Sequence, residues 1–414
     1  MPTNTLRSPF SLDGRTIPNR VVFQPMEGCD CTEDGAPGEL TIAKYRRAAQ
    51  SGAGIIWFEA NAVCPEGRTN PRQMMLTAAN LPAFAALLTE MRRIARDETG
   101  VEPVMLLQLT HSGRQSIRPI IAGHNPVYEA ARPLTDDHIA SDAYLDTLPT
   151  LYAEAARLAR IAGFDGVDVK SCHGYLFPEL LAAFDRPGRY GGSFENRTRL
   201  YLDSIRAVQA AVQRVEVGRD ENFLVATRLG LCDMVPRPCG FGTDCCGNPD
   251  LTEPDRLVGE LMALGVRLLN VTVGNPYYNP HVNRPFRAGS YLPPEPPEVG
   301  LTRFETIERH LKEKFPGLAV VGSGVSYYRA DLMAQSERLV RDGICDFVGY
   351  GRASLAYPML WRDYLRGKFD GRKACLACSK CTALMRAKCV SGCAVFNETY
   401  KFIYQENVSC QKQH

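Results

Sequence analysis

Residues 318–350 read LAVVGSGVSYYRADLMAQSERLVRDGICDFVGY. Leu318-Ala319-Val320-Val321 is a continuous apolar run without alternation, the pattern of a strand buried on both faces of a parallel sheet. Arg329–Asp342 has helical spacing, and Asp346–Tyr350 returns to a short apolar run. Outward from this stretch the alternation repeats: Arg20–Pro25 with Leu40–Ser51, Gly54–Phe58 with Leu81–Thr99, Val104–Leu109 with Leu148–Ala162, and Gly166–Lys170 with Arg197–Val217. Phe223–Leu229 with Pro254–Leu264, Val266–Val273 with Thr302–Lys314, Leu318–Gly322 with Arg329–Asp342, and Asp346–Tyr350 with Tyr357–Gly367 complete eight strand–helix units. Length alone would allow two or three domains in 414 residues, but eight such units predict one α/β chain folded as a (β/α)8 TIM barrel.

Long Gly- and Pro-rich connections follow strand 3 (Thr110–Thr147), strand 4 (Ser171–Asn196), strand 5 (Gly230–Glu253) and strand 6 (Gly274–Gly300). All lie at the strands' C-terminal side, where barrel chemistry is carried, and loops of this length are uncommon unless functional or disordered. The segment Ala374–His414 does not continue the repeat. The expected organisation is a barrel over 1–370 and a C-terminal cysteine-rich segment over 371–414 that needs a metal to fold.

Composition narrows the class. With 48 basic and 46 acidic side chains the formal charge is +2, which gives no footprint for nucleic acid or an anionic membrane. No apolar stretch approaches the roughly 18 residues of a spanning helix. Met1 to Arg20 also lacks the pattern of a signal peptide, so a cytoplasmic protein is expected. Fifteen cysteines in a long chain of that kind point to metal or redox chemistry rather than disulfides, and six of them (Cys375, Cys378, Cys381, Cys389, Cys393, Cys410) fall in the last forty residues.

The strand ends read together. Val22-Phe23-Gln24-Pro25-Met26 ends strand 1, Gln108-Leu109-Thr110-His111-Ser112-Gly113-Arg114 ends strand 3, and Lys170-Ser171-Cys172-His173-Gly174-Tyr175-Leu176 ends strand 4. Arg186 to Arg197 (RPGRYGGSFENR), Ala226-Thr227-Arg228-Leu229, Gly322-Ser323-Gly324 and Gly349-Tyr350-Gly351-Arg352 follow in order. Over about residues 5 to 370 this ordered set resembles the Old Yellow Enzyme family of FMN-dependent barrel oxidoreductases.

The resemblance implies an FMN site. Glycines after strands 7 and 8 (Gly322, Gly324, Gly351), with Ser323, allow close backbone approach to a phosphate, and Arg352 offers it a charged fork. Taken alone, the glycines read as turns. By resemblance Gln108 meets the pyrimidine edge of the flavin, and Arg228 sits near N1 and O2, where a cation favours the anionic reduced ring. Pro25, Met26 and Ala60 line the flavin, although Met26 and Ala60 read equally well as core.

In the family a His-x-x-His or His-x-x-Asn pair grips the substrate's carbonyl oxygen, and a Tyr two residues later protonates the carbon opposite the hydride. The corresponding residues are Lys170, His173 and Tyr175, so lysine replaces the first histidine. A lysine is a point charge that serves a carbonyl as electrophile or pairs with a carboxylate. The structural alternative is an ion pair with Asp168, on the same strand face, or with an acid of the rim. Glu27 is a second departure, standing where the family has a small hydrogen-bonding residue beside flavin O4; outward rotation of Glu27 is the alternative.

Cys375-x2-Cys378-x2-Cys381, then Cys393, resembles the cluster segment of the family's iron–sulfur branch, typified by 2,4-dienoyl-CoA reductase and trimethylamine dehydrogenase. It implies a [4Fe-4S] cluster, one thiolate per iron. Zinc and unligated thiols are the alternatives, as is Cys389 in place of Cys393; Cys239, Cys245 and Cys246 read as incidental, with Cys232 the nearby candidate for a fourth ligand.

The leading expectation is an ene-reductase: hydride passes from reduced FMN to an activated C=C bond of an enone, enoate or enoyl thioester. An amine dehydrogenase, with Tyr277 and Tyr278 caging an alkylammonium, and a catalytically lapsed electron-transfer or assembly subunit are the rivals. Cluster-bearing relatives continue into FAD- and NAD(P)-binding domains, and no glycine-rich dinucleotide fingerprint follows this barrel. An external electron donor, a flavoprotein or ferredoxin-like protein, is therefore expected, with NAD(P)H as a direct alternative. A homo-oligomer is compatible with all of these.

Overall fold

The computed structural model describes residues 5–130, 132–215, 222–287, 289 and 291–409. The apolar runs form β1 (Val21–Phe23), β2 (Ile55–Ala62), β3 (Val104–Thr110), β4 (Gly166–Val169), β5 (Leu224–Gly230), β6 (Leu268–Thr272), β7 (Ala319–Gly322) and β8 (Phe347–Tyr350). They close into a barrel in the order β8-β1-β2-β3-β4-β5-β6-β7, with every neighbouring pair parallel. The ring is shut by Val348 against Val21. The expected TIM barrel is therefore the fold observed.

Around it lie α1 (Glu39–Ala49), α2 (Leu81–Thr99), α3 (Leu148–Ala162), α4 (Phe194–Gln213), α5 (Thr252–Ala263), α6 (Pro297–Lys314), α7 (Leu332–Arg341) and α8 (Leu360–Leu365). Each is amphipathic. In α2, Phe84, Leu87, Leu88, Met91, Ile94 and Ala95 recur at three- and four-residue steps and are buried, and Gly100 ends the helix at φ 67°. α4 begins three residues earlier than expected because the Ser193 hydroxyl caps Asn196 N–H; residues 216–217 of the expected helix lie outside the described residues. α7 begins at Leu332 rather than Arg329, because Val325–Asp331 is a 3-10 segment with Arg329 at φ 55°.

Side-chain alternation divides the core. Ile56, Phe58, Met105 and Leu107 face the helices. Ile55, Trp57, Val104, Leu106, Leu224, Ala226, Leu268, Ala319, Val321 and Phe347 fill the barrel. A hairpin of Phe10–Leu12 and Arg15–Ile17 adds Leu12 and Ile17 to this interior cluster and seals the N-terminal end. Above the apolar plug the interior turns polar. Gln24 and Asn270 exchange side-chain amide bonds of 3.1 and 2.8 Å, and Gln24 also donates to Ser323 Oγ at 3.1 Å.

The cysteine-rich segment folds back onto the barrel. It carries α9 (Lys380–Arg386) and α10 (Glu398–Tyr404) around a small core of Leu384, Val390, Ala394 and Tyr400, against which Leu40 of α1 packs. Ser391 N–H donates to Gly28 O at 2.7 Å, and Asn70 donates to Lys388 O at 3.4 Å. Cys410 lies outside the described residues. Among the described residues no helix is long and apolar enough to cross a membrane.

Candidate active site

The C-terminal strand ends open on a cavity of about 390 Å³. Lys170, His173, Tyr175, Pro25, Met26, Glu27, Ala60, Gln108, Arg228, Ser323, Gly324, Gly351 and Arg352 all line it. Of the residues expected there, Gly322 alone does not. A Cβ at Gly322 would stand 2.9 Å from Glu308 Oε2 and 3.0 Å from Cys345 Sγ, so that glycine admits a buried carboxyl behind the strand.

β4 organises one wall. Asp168 is buried at 0% exposure and accepts from Gln108 Nε2 at 2.6 Å, Trp57 Nε1 at 2.9 Å and Arg228 N–H at 2.7 Å. Burial pushes its carboxyl up to about 6, against the lowering effect of those three donors. Because Gln108 gives its NH2 to Asp168, its carbonyl oxygen remains for the cavity. Asp168 makes no ion pair with Lys170. The strand ends at Val169, so the alternation that would place both residues on one face stops before Lys170.

The Lys170 side chain lies with its ammonium 3.8 Å from the centroid of the Tyr175 ring. Burial lowers its pKa, opposed by the nearby Cys172 and Glu27. His173, at φ 70°, approaches Thr272 Oγ1 at 3.5 Å. Burial, then the cations Arg228, Lys170 and Arg284, hold it well below the ordinary histidine range, so the imidazole is neutral. The Tyr175 hydroxyl is 3.5 Å from both Glu27 Oε2 and the Tyr277 hydroxyl. Burial and then Glu27 push it well above the ordinary phenol range, which keeps its proton. Glu27 itself turns inward, accepting from Thr69 Oγ1 at 3.0 Å.

The far end of the cavity is cationic. Arg352 donates to Pro285 O at 3.1 Å and leaves Nη1 buried without a partner. Arg284 and Arg228 each leave Nε buried and unpartnered. Arg284, which follows the short helix Pro280–Asn283, was not anticipated from sequence; burial and then Arg352 lower its pKa to about 10. The unsatisfied nitrogens of Arg284 and Arg352, in a cavity also lined by Gly324 and Gly351, fit the phosphate of an anionic cofactor, and that of Arg228 its polar ring edge. Thr382, Met385, Arg386, Lys388 and Ser391 of the cysteine-rich segment also form part of the cavity wall, another feature the sequence did not disclose.

Cys375, Cys378, Cys381 and Cys393 line one smaller cavity, where Ser379 Oγ is buried without a partner. Arg352 and Cys381 line both cavities. Cys389 faces elsewhere, its Sγ 3.5 Å from Ala387 O. No three His, Cys, Asp or Glu side chains among the described residues converge as ligands of a single ion. The four thiols thus share one space, the donor set that either a zinc ion or an iron–sulfur cluster would draw on. Cys245 and Cys246 are exposed with sulfurs 4.0 Å apart, and they form no ligand group with Cys239.

Comparison with known proteins agrees with this architecture. The description of the NADH:flavin oxidoreductase / NADH oxidase family matches residues 5–239, and the chain belongs to that family of enzymes. It is 27% identical over 370 residues to an NADH oxidase of Thermoanaerobacter brockii, covering 88% of this chain and 51% of that protein. An NADPH dehydrogenase of Halalkalibacterium halodurans is 32% identical over 211 residues, 49% of this chain and 59% of the relative. The chain thus spans about half to three fifths of the length of these relatives. Among solved structures, a 2-naphthoyl-CoA reductase complex superposes with a TM-score of 0.75 at 18% identity, covering 96% of this chain and 57% of that one. Histamine dehydrogenase from Rhizobium sp. 4-9 gives 0.72 at 19%, covering 96% and 52%.

Proposed function

We propose that this member of the NADH:flavin oxidoreductase / NADH oxidase family is an FMN- and [4Fe-4S]-dependent reductase of an activated carbon–carbon double bond. Its electrons come from NAD(P)H or from an external redox protein. The observation that carries the reading is a single cavity shared by Lys170, His173 and Tyr175 with Gln108, Arg228, Arg284 and Arg352. Arg284 and Arg352 would hold the FMN phosphate, and Gln108 and Arg228 the polar edge of the ring. Bound there, FMN supplies a hydride to the substrate's β-carbon.

The chain's own residues do the rest. Lys170 and His173 bind the substrate's oxygen, the first as a cation and the second as a neutral N–H donor. Tyr175 holds a proton at its hydroxyl for the α-carbon, and Tyr277, 43% exposed, offers a path for its replacement from solvent. Cys375, Cys378, Cys381 and Cys393 would ligate the cluster, which exchanges single electrons.

The oxidative amine reading is opposed by charge. The cavity is lined by Lys170, Arg228, Arg284, Arg352, Arg386 and Lys388 against one carboxylate, Glu27. Tyr278 packs edge-on against Tyr128 at 6.0 Å instead of joining Tyr277 in a cage. Anaerobic purification with an absorption spectrum and iron and sulfide counts tests the cofactors. Reoxidation of the reduced protein by enones, enoates or thioesters, with inertness to amines, is the expected result; reduction of the flavin by amines would reverse the assignment.

A further inference from the structure

We propose that Lys170 anchors a negatively charged group of the substrate, and that the compound reduced is an α,β-unsaturated carboxylic acid rather than a neutral enone or amide. This rests on the double-bond reductase reading and narrows it.

Lys170 is 4% exposed and lines the cavity, and among the described residues its ammonium makes no ion pair or hydrogen bond; the close partner of that ammonium is the face of the Tyr175 ring. Burying an unpaired charge is costly, so such a group is normally compensated. The neighbouring carboxylates are engaged elsewhere. Asp168 serves Gln108, Trp57 and the Arg228 backbone, and Glu27, whose charge is felt by Lys170 without an ion pair, accepts from Thr69 and Tyr175. A phosphate between Arg284 and Arg352 leaves Lys170 unmatched. The missing anion is then the substrate's own.

The chemistry favours the same assignment. Hydride addition to the β-carbon of an enoate drives electron density onto a carboxylate that is already charged. A neutral imidazole suits a neutral carbonyl, whereas a desolvated ammonium offsets the second increment of charge. The step balances: the C=C π bond breaks, and one C–H bond forms at the β-carbon with a hydride whose two electrons derive from NAD(P)H. A second forms at the α-carbon with the Tyr175 proton, which solvent replaces, while both carboxylate C–O bonds persist.

The test measures equilibrium binding of cinnamate and cinnamamide to the flavin-loaded protein, with Lys170→Met and Lys170→His, and retained flavin absorbance as the control for folding. Cinnamate should bind the wild type at least roughly tenfold more tightly than the amide. Lys170→Met should weaken cinnamate by roughly 10- to 100-fold and the amide, which loses only a contact to a neutral oxygen, by no more than about threefold. Equal weakening of both ligands, or equal binding of both by the wild type, would overturn the anchor and leave Lys170 as a packing partner of Tyr175. Lys170-dependent cinnamate binding without reduction of any double bond would keep the anchor and remove the reductase reading. Faster reduction of cyclohexenone than of cinnamate, unaffected by Lys170→Met, would do the reverse.

Discussion

Inside the barrel, Trp57, Leu106, Phe347 and the hairpin residues Leu12 and Ile17 join eight further buried apolar residues in one plug, whereas residues 375–404 close over a core of Leu384, Val390, Ala394 and Tyr400. The second region also holds Ala377, Ser379 and Lys388 at φ of 52°, 59° and 59°, a conformation that side chains other than glycine adopt at a cost. The first region can stand on burial alone. The second has little burial to stand on, and its four cysteines line one small cavity, where the cluster proposed above would add the missing support.

Removing a ligand breaks that contrast most completely. Cys393→Ala should abolish cluster incorporation, read as loss of iron and sulfide, and expose residues 375–404 to limited proteolysis while the barrel remains protected. Trp57→Ala attacks the other side. It should cost roughly 3–5 kcal/mol in denaturant unfolding, from the lost ring and from the donor taken from Asp168. If that variant also lowered the protection of the cysteine segment from proteolysis, the two regions would not be independent.

A smaller effect follows from Glu308 of α6, which is buried and accepts from Ser323 N–H at 2.9 Å. Burial pushes its carboxyl up to about 8 from an ordinary 4.5. The folded state therefore holds this proton more tightly than the unfolded chain does. The stability that results is fully present below about 4.5 and is lost as pH rises through about 8. Glu308→Gln should flatten the fall in barrel stability over that window, measured by thermal unfolding at several pH values; an unchanged slope would refute it. The smallest effect is expected for Cys389→Ala, whose sulfur faces Ala387 O: the iron count should not change.

The barrel was legible because strands buried on both faces leave continuous apolar runs, as Leu318-Ala319-Val320-Val321 does. The hairpin was not, since Phe10–Leu12 and Arg15–Ile17 are three-residue strands whose burial depends on the distant barrel floor. Most expected site residues do share one cavity because they stand at strand ends, where the fold fixes direction. Arg284 escaped notice because it lies in an irregular rim loop, and its position depends on Arg352 and the cysteine segment around it. Gly322 was placed in the cavity by its motif, but the chain turns only after it, and its missing side chain makes room for Glu308.

Arg352 and Cys381 border both cavities, and Thr382, Met385 and Ser391 complete the wall of the larger one. For protein engineering this means that residues 375–393 are not an exchangeable electron-transfer cassette. A chimera carrying that stretch from a homologue would inherit part of the donor's ligand selectivity with it, and recombination within the family would have to move barrel rim and cysteine segment as one unit.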